Sequence, residues 1–160
     1  MKITEILAIY AACLSTLVFV WNIAKATPKF KVDLLHGIEE KDGEYVEGIY
    51  VIVRNHSSHK IHLAGLVLLY QSEKQSILKK LLHFIKYRNW SNSLGWVHCY
   101  PSSYGVEHNF PVELEAFQSH ELFIPNSVVD EVLEKGINRK IKAKAQDQLW
   151  RNKYSKALEY

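Results

Sequence analysis

The chain has 160 residues, with 20 Lys and Arg against 17 Asp and Glu, a net charge of +3. Nine Tyr, six Phe and four Trp, set against only seven Gly and four Pro, argue against disorder. The small positive surplus suits an anionic membrane surface and is too mild for a nucleic-acid partner, so none is expected.

Residues 1–26 are expected to form an N-terminal membrane anchor. Ile6 to Ala24 has no charged side chain, and its polar residues are Ser15, Thr16 and Asn22. A helical run of about 19 residues spans the ~30 Å hydrocarbon core, so residues 6–24 are assigned to the lipid bilayer. The alternative is an export signal cleaved near Ala26, since Ala24-Lys25-Ala26 has small residues at the right spacing and Lys2 gives a positive start. Against it, the apolar run exceeds the usual ~7–15 residues, Glu5 stands where cations belong, and Trp21 crowds the cut. The Ala-Ala-Cys13 triplet resembles a lipobox only faintly, with Tyr10 out of place. Lys25, Lys29 and Lys31 follow the span and only Lys2 precedes it, which points to an inner membrane with the C-terminal domain in the cytoplasm. Ala8, Ala11, Ala12 and Ser15 are small enough to let two such helices pack closely.

Residues 27–160 are expected to form one β-sandwich domain. Thr27-Pro28 ends the helix. Lys29 to His36 alternates as a strand, Lys41 to Glu44 turns, and Tyr45 to Arg54 and Lys60 to Tyr70 are β-rich runs, the second expected to be the most buried. Gly65 marks a bulge or a close backbone approach. From Ser72 to Arg88 the period becomes helical, with apolar residues at 77, 78, 81, 82, 84 and 85 and Lys79, Lys80, His83, Lys86 and Tyr87 opposite. Ser72 and Gln75 fit a capping box. This basic amphipathic insert extends to about residue 93.

Asn89 to Ser93 is a loop, Leu94 to Tyr100 a short strand, and Pro101 to Gly105 a turn. Pro111 to Phe117 and His120 to Ile124 are expected to pair as a hairpin. A short helix runs from Val128 to Lys135, closed by Gly136. Lys140 to Asp147 is a strand with Ile141, Ala143 and Ala145 inward, and Tyr154 to Leu158 is the last. The fold class is therefore mainly β, an antiparallel sandwich with one inserted helix and one transmembrane helix.

Three segments carry a resemblance: Val51 to Asn55, Val112 to Glu115 followed by Leu122 to Pro125, and Ala143 to Asp147 before Tyr154-Ser155. On these the chain resembles small bacterial membrane proteins with one N-terminal transmembrane helix and an immunoglobulin-like β-sandwich of unknown function. The resemblance implies an envelope or phage-defence setting and supplies no functional residues. The insert at 72–93 departs from that pattern.

Leu78, Lys79, Lys80, Leu81, Leu82, Ile85, Lys86, Arg88 and Trp90 are the candidate membrane or partner surface. The simplest use of the apolar stripe is to cover an open side of the sandwich. Trp90, Trp96, Tyr100 and Tyr104 flank one loop region and are expected to fill the core there, with an interface as the rival reading. His56, His59 and His62 are closely spaced imidazoles, yet strand alternation turns His59 and His62 to opposite faces and no Cys or acidic pattern completes a metal site. Asn55-His-Ser and Asn89-Trp-Ser match the glycosylation sequon, which matters only in a secretory lumen. Cys13 and Cys99 are too differently placed to pair. No nucleophile elbow, phosphate loop, dinucleotide motif or HExxH is present, so neither a catalytic site nor a cofactor is assigned. The expected function is a membrane-anchored interaction module that binds a partner protein, itself or the membrane surface. Its rivals are a membrane-perturbing effector oligomerising through the anchor and, less favoured, an enzyme.

Overall fold

The computed structural model describes residues 3–27, 29–41, 43–74, 76–88 and 93–160, with Ala26 and Lys80 described in their backbone only. Trp90 and most of the loop expected at 89–93 lie outside the described residues, as does Gln75.

Helix α1 runs without interruption over Ile3–Ala26, about 36 Å at 1.5 Å per residue. Two of its hydroxyls bond within the helix: Ser15 Oγ donates to the Ala11 carbonyl at 2.7 Å and Thr16 Oγ1 to that of Ala12 at 2.8 Å. Such back-bonding satisfies both without a partner outside the helix. The domain buries none of it. The helix is long and apolar enough to cross a membrane, and a signal sequence has the same character.

The rest is mainly β. Strands β1 (Phe30–Lys41), β2 (Glu44–Asn55) and β6 (Ser119–Pro125) form one antiparallel sheet in the order β1-β2-β6. The second sheet is built on β3 (Ile61–Gln71) and β7 (Lys140–Asp147). Strands β4 (Trp96–Cys99) and β5 (Val112–Leu114) pair with β3, while β8 (Asn152–Tyr154) and β9 (Leu158–Glu159) pair with β7. Helix α2 (Ile77–Tyr87) is inserted between β3 and β4, and α3 (Asn126–Glu134) follows β6.

The inner faces of both sheets and α3 share one core. Val32, Ile49, Val51, Val53 and Ile124 face Leu63, Leu66, Leu68, Ile141, Ala143 and Ala145, joined by Val129 and Leu133 from α3. The strict in–out alternation of β7 is the period-2 pattern of its sequence made visible. β3 holds Leu63, Leu66, Leu68 and Leu69 fully covered. Its register on β7 slips between Leu63 and Gly65, so Gly65 marks a bulge, with open space where a Cβ would stand.

Several expectations are corrected. β1 runs five residues past His36, because the chain reverses at Gly43, held at φ +83°, and Lys41 pairs with Glu44. β5 and β6 are no hairpin: β5 joins β3 and β6 joins β2, so the chain crosses between sheets at 115–118, with Phe117 at φ +62°. α2 starts at Ile77, capped by Ser76, whose Oγ accepts from the Leu78 amide at 3.3 Å. Ser72 does not cap; its amide donates to the Gly95 carbonyl at 3.0 Å. α3 begins two residues early, at Asn126. The last strand is split, because the buried Ser155 turns its Oγ to accept from the Ala143 amide at 2.9 Å.

The two ends of the sandwich differ. Phe30 opens β1 opposite Asn55 with three residues between it and α1, so this end stays within about 14 Å of the anchor. Ile61 pairs with Leu114 and Leu63 with both Val112 and Asp147 here. The far end carries the β1–β2 turn and the pair Gln71–Trp96. The 11 residues of β3 separate the two by about 36 Å.

Candidate interaction surfaces

Helix α2 leaves the sandwich at the far end. The amides of Ser72 and Glu73 both donate to the Gly95 carbonyl, at 3.0 and 3.3 Å, which clasps the two stems of the insert. Beyond that clasp no strand shares an extended contact with the helix among the described residues. Leu78 is 69%, Leu82 63% and Ile85 66% exposed, and Leu81, Phe84 and Ile77 are exposed too. The stripe therefore does not cover the sandwich. The sandwich has no open side for it, because α3 and the second sheet already close the core.

Residues 72–93 hold five cations and one carboxylate, and α2 itself has no acid. Among the described residues, Lys79, Lys86 and Arg88 form no ion pair with a carboxylate. Lys86 lies 5.2 Å from the Tyr87 ring. Arg88 ends the helix in the left-handed region, its amide bonded to the Phe84 carbonyl at 2.7 Å. The arrangement is an amphipathic rod with apolar knobs at i, i+4 and i+7 and, among the described residues, cations unpaired with carboxylates.

Of the aromatic group expected in the core, the three described members stand outside it. Tyr100 is exposed. Lys142 Nζ sits 4.2 Å over the Trp96 ring, and Lys135 Nζ lies over the Tyr104 ring while bonding its hydroxyl at 3.0 Å. Trp96 and Tyr104 are thus held by cations on the outer surface of the second sheet and its α3 side, because β3 and β7 fill the interior with aliphatics.

The anchor end has its own apolar points. Phe117 is 74%, Leu149 65% and Trp150 80% exposed, at the tips of the 115–118 and 147–151 turns. Trp150 is held at φ +62° by a turn built on the buried Asp147, whose Oδ1 accepts from the Arg151 amide at 2.8 Å. In α1, Ala8, Ala11, Ala12 and Ser15 fall on one face and are all exposed.

A groove of about 430 Å³ opens on the far half of the first sheet. Val46, Val106, Phe123 and Val128 line it, with Glu39, Lys41 and Glu107 among its walls. A second cleft of about 300 Å³ lies where β4 and β5 leave residues 64–67 of β3 without a strand on that edge. His98, Tyr100, His108 and Lys144 line it. Burial, and then the Lys144 ammonium, hold the His98 imidazole below its ordinary pKa. Among the described residues no Ser, Thr or Cys lines either cleft.

The closely spaced imidazoles stay apart in role. His62 Nδ1 lies 3.4 Å from Glu113, which also bonds Lys60, while His59 meets Ser58. No three His, Cys, Asp or Glu among the described residues are grouped to hold a metal ion. Asn55 of the first sequon is buried, its amide donating to the carbonyls of His59 at 2.8 Å and Glu115 at 2.9 Å. That nitrogen is inaccessible to a glycan in the folded chain; Asn89 lies outside the described residues. No protein-family model, curated protein or solved structure matches this chain.

Proposed function

We propose that the chain is a single-pass, membrane-anchored interaction module whose β domain stands end-on to the bilayer and presents α2, held away from the lipid, to a protein. The observation that carries this reading is that α1 enters and α2 leaves at opposite ends of the sheets. A domain tethered by three residues keeps its entry end at the headgroups, where Phe117 and Trp150 suit the interface. The uncovered face of α2 then lies some 36 Å higher, too far to share that surface. Lys25, Lys29 and Lys31 support a cytoplasmic domain at an inner membrane. The two antiparallel sheets around one core, with the chain crossing between them at 115–118, support an immunoglobulin-like reading of the sandwich.

The test uses the full chain in nanodiscs carrying nitroxide lipid, with a fluorophore on a single cysteine in a Cys13→Ser, Cys99→Ser background. Probes at Leu14→Cys and Leu149→Cys are expected to be quenched, and one at Leu82→Cys to stay bright. Quenching at Leu82 places α2 on the lipid and overturns the end-on reading. A bright Leu14 overturns the anchor.

A further inference from the structure

The basic rod and the acidic groove lie on the same half of the molecule, both remote from the anchor. The β1–β2 hairpin at this end is the acidic counterpart of α2: residues 39–47 hold five carboxylates and one cation. It also exposes Ile38 and Tyr45. The adjoining groove has an apolar lining of Val46, Val106, Phe123 and Val128, and on its walls Glu39 and Glu107 outnumber the single cation Lys41. Glu39 and Glu107 form no ion pair among the described residues. α2 and the groove do not meet within one molecule. In two copies anchored side by side in one membrane they stand at comparable height.

From this complementarity we infer that the partner of α2 is a second copy of this chain, with Leu78, Leu82 and Ile85 seated in the groove between Glu39 and Glu107 and flanked by Lys79, Lys86 and Arg88. The inference rests on the reading of α2 as a protein-binding surface and names its partner. A groove of about 430 Å³ is within the range that takes several apolar groups, and a helix anchored at i, i+4 and i+7 is a common occupant of such a groove. Face-to-face pairing of two α2 helices would join their apolar stripes but leave the cations of both helices without counter-charges. The contact is heterologous, groove to helix, and can continue along a row of copies. Confinement to a membrane raises the effective concentration, so a contact this small need not be tight.

Charge exchange between copies tests it. Full chains carrying donor or acceptor fluorophores are reconstituted together in nanodiscs large enough for several copies, and energy transfer is read. Wild-type chains are expected to transfer, and Lys79→Glu, Lys86→Glu, Arg88→Glu to lower association about tenfold. Glu39→Lys, Glu107→Lys should do the same alone, and mixing the two variants should restore transfer between them. All five positions are exposed, so the fold is not at stake, and circular dichroism checks it. No transfer in the wild type overturns the inference. Transfer that ignores both charge reversals assigns association to α1 and overturns it equally. The probe at Leu82 in nanodiscs with a single copy still reports whether α2 stands clear of lipid, so the two readings fail separately.

Discussion

Asn55 shows how much one residue can hold. Its side chain ties the end of β2 to the 56–60 turn and to β5, with the amide donating to the His59 and Glu115 carbonyls and Oδ1 accepting from the Ser57 amide at 2.9 Å. Asn55→Ala leaves these buried groups without partners, and each unmet group costs about 1–3 kcal/mol. The expected loss is about 2–4 kcal/mol in urea unfolding of the detergent-solubilised chain. His120 carries the pH dependence at this scale. It stacks edge-on with Phe110 at 5.4 Å, its Nε2 is buried without a partner, and burial holds its pKa below the ordinary value against the weaker pull of Glu121. The unfolded chain therefore protonates first as pH falls through about 6.5, and stability declines from there until the folded imidazole also protonates. His98 adds in the same direction. His120→Gln should flatten part of the fall in melting temperature between neutral pH and about pH 5.

At the scale of elements, α2 and β3 are apolar for different reasons. Leu66 and Leu68 are enclosed by two sheets, so Leu68→Ala should cost about 2–5 kcal/mol. Leu78, Leu81 and Leu82 meet solvent, so Leu78→Gln, Leu81→Gln, Leu82→Gln together should shift stability by no more than about 0.5 kcal/mol each. Equilibrium unfolding checks both. Substantial unfolding of the triple variant would mean that the stripe packs on the core. The helical period of α2 and the alternation of β7 were both legible, because each is a local pattern with a fixed repeat. The partner of β5 was not. Val112 to Leu114 carries the same β signal whether it pairs with its neighbour in sequence or with β3, and only the crossing at 115–118 decides.

For the whole molecule, what counts is which end each element occupies. An apolar helix leaves one end of the sheets and a basic amphipathic helix the other; on the proposed reading the domain is a spacer, and the acidic β1–β2 hairpin is what the α2 of a second copy would meet. Residue types alone determined the apolar length of α1, the mainly β character, the amphipathic pattern of α2 and the inward face of β7, since composition and period act over a few neighbouring residues. The tertiary structure alone decided that the stripe of α2 stays uncovered, that Trp96, Tyr100 and Tyr104 lie outside the core, that the Asn55 amide is spent within the fold, and that α2 leaves opposite the anchor. Each of these depends on which distant surface has already filled the space, and hydrophobic burial is not directional enough for a local pattern to specify that.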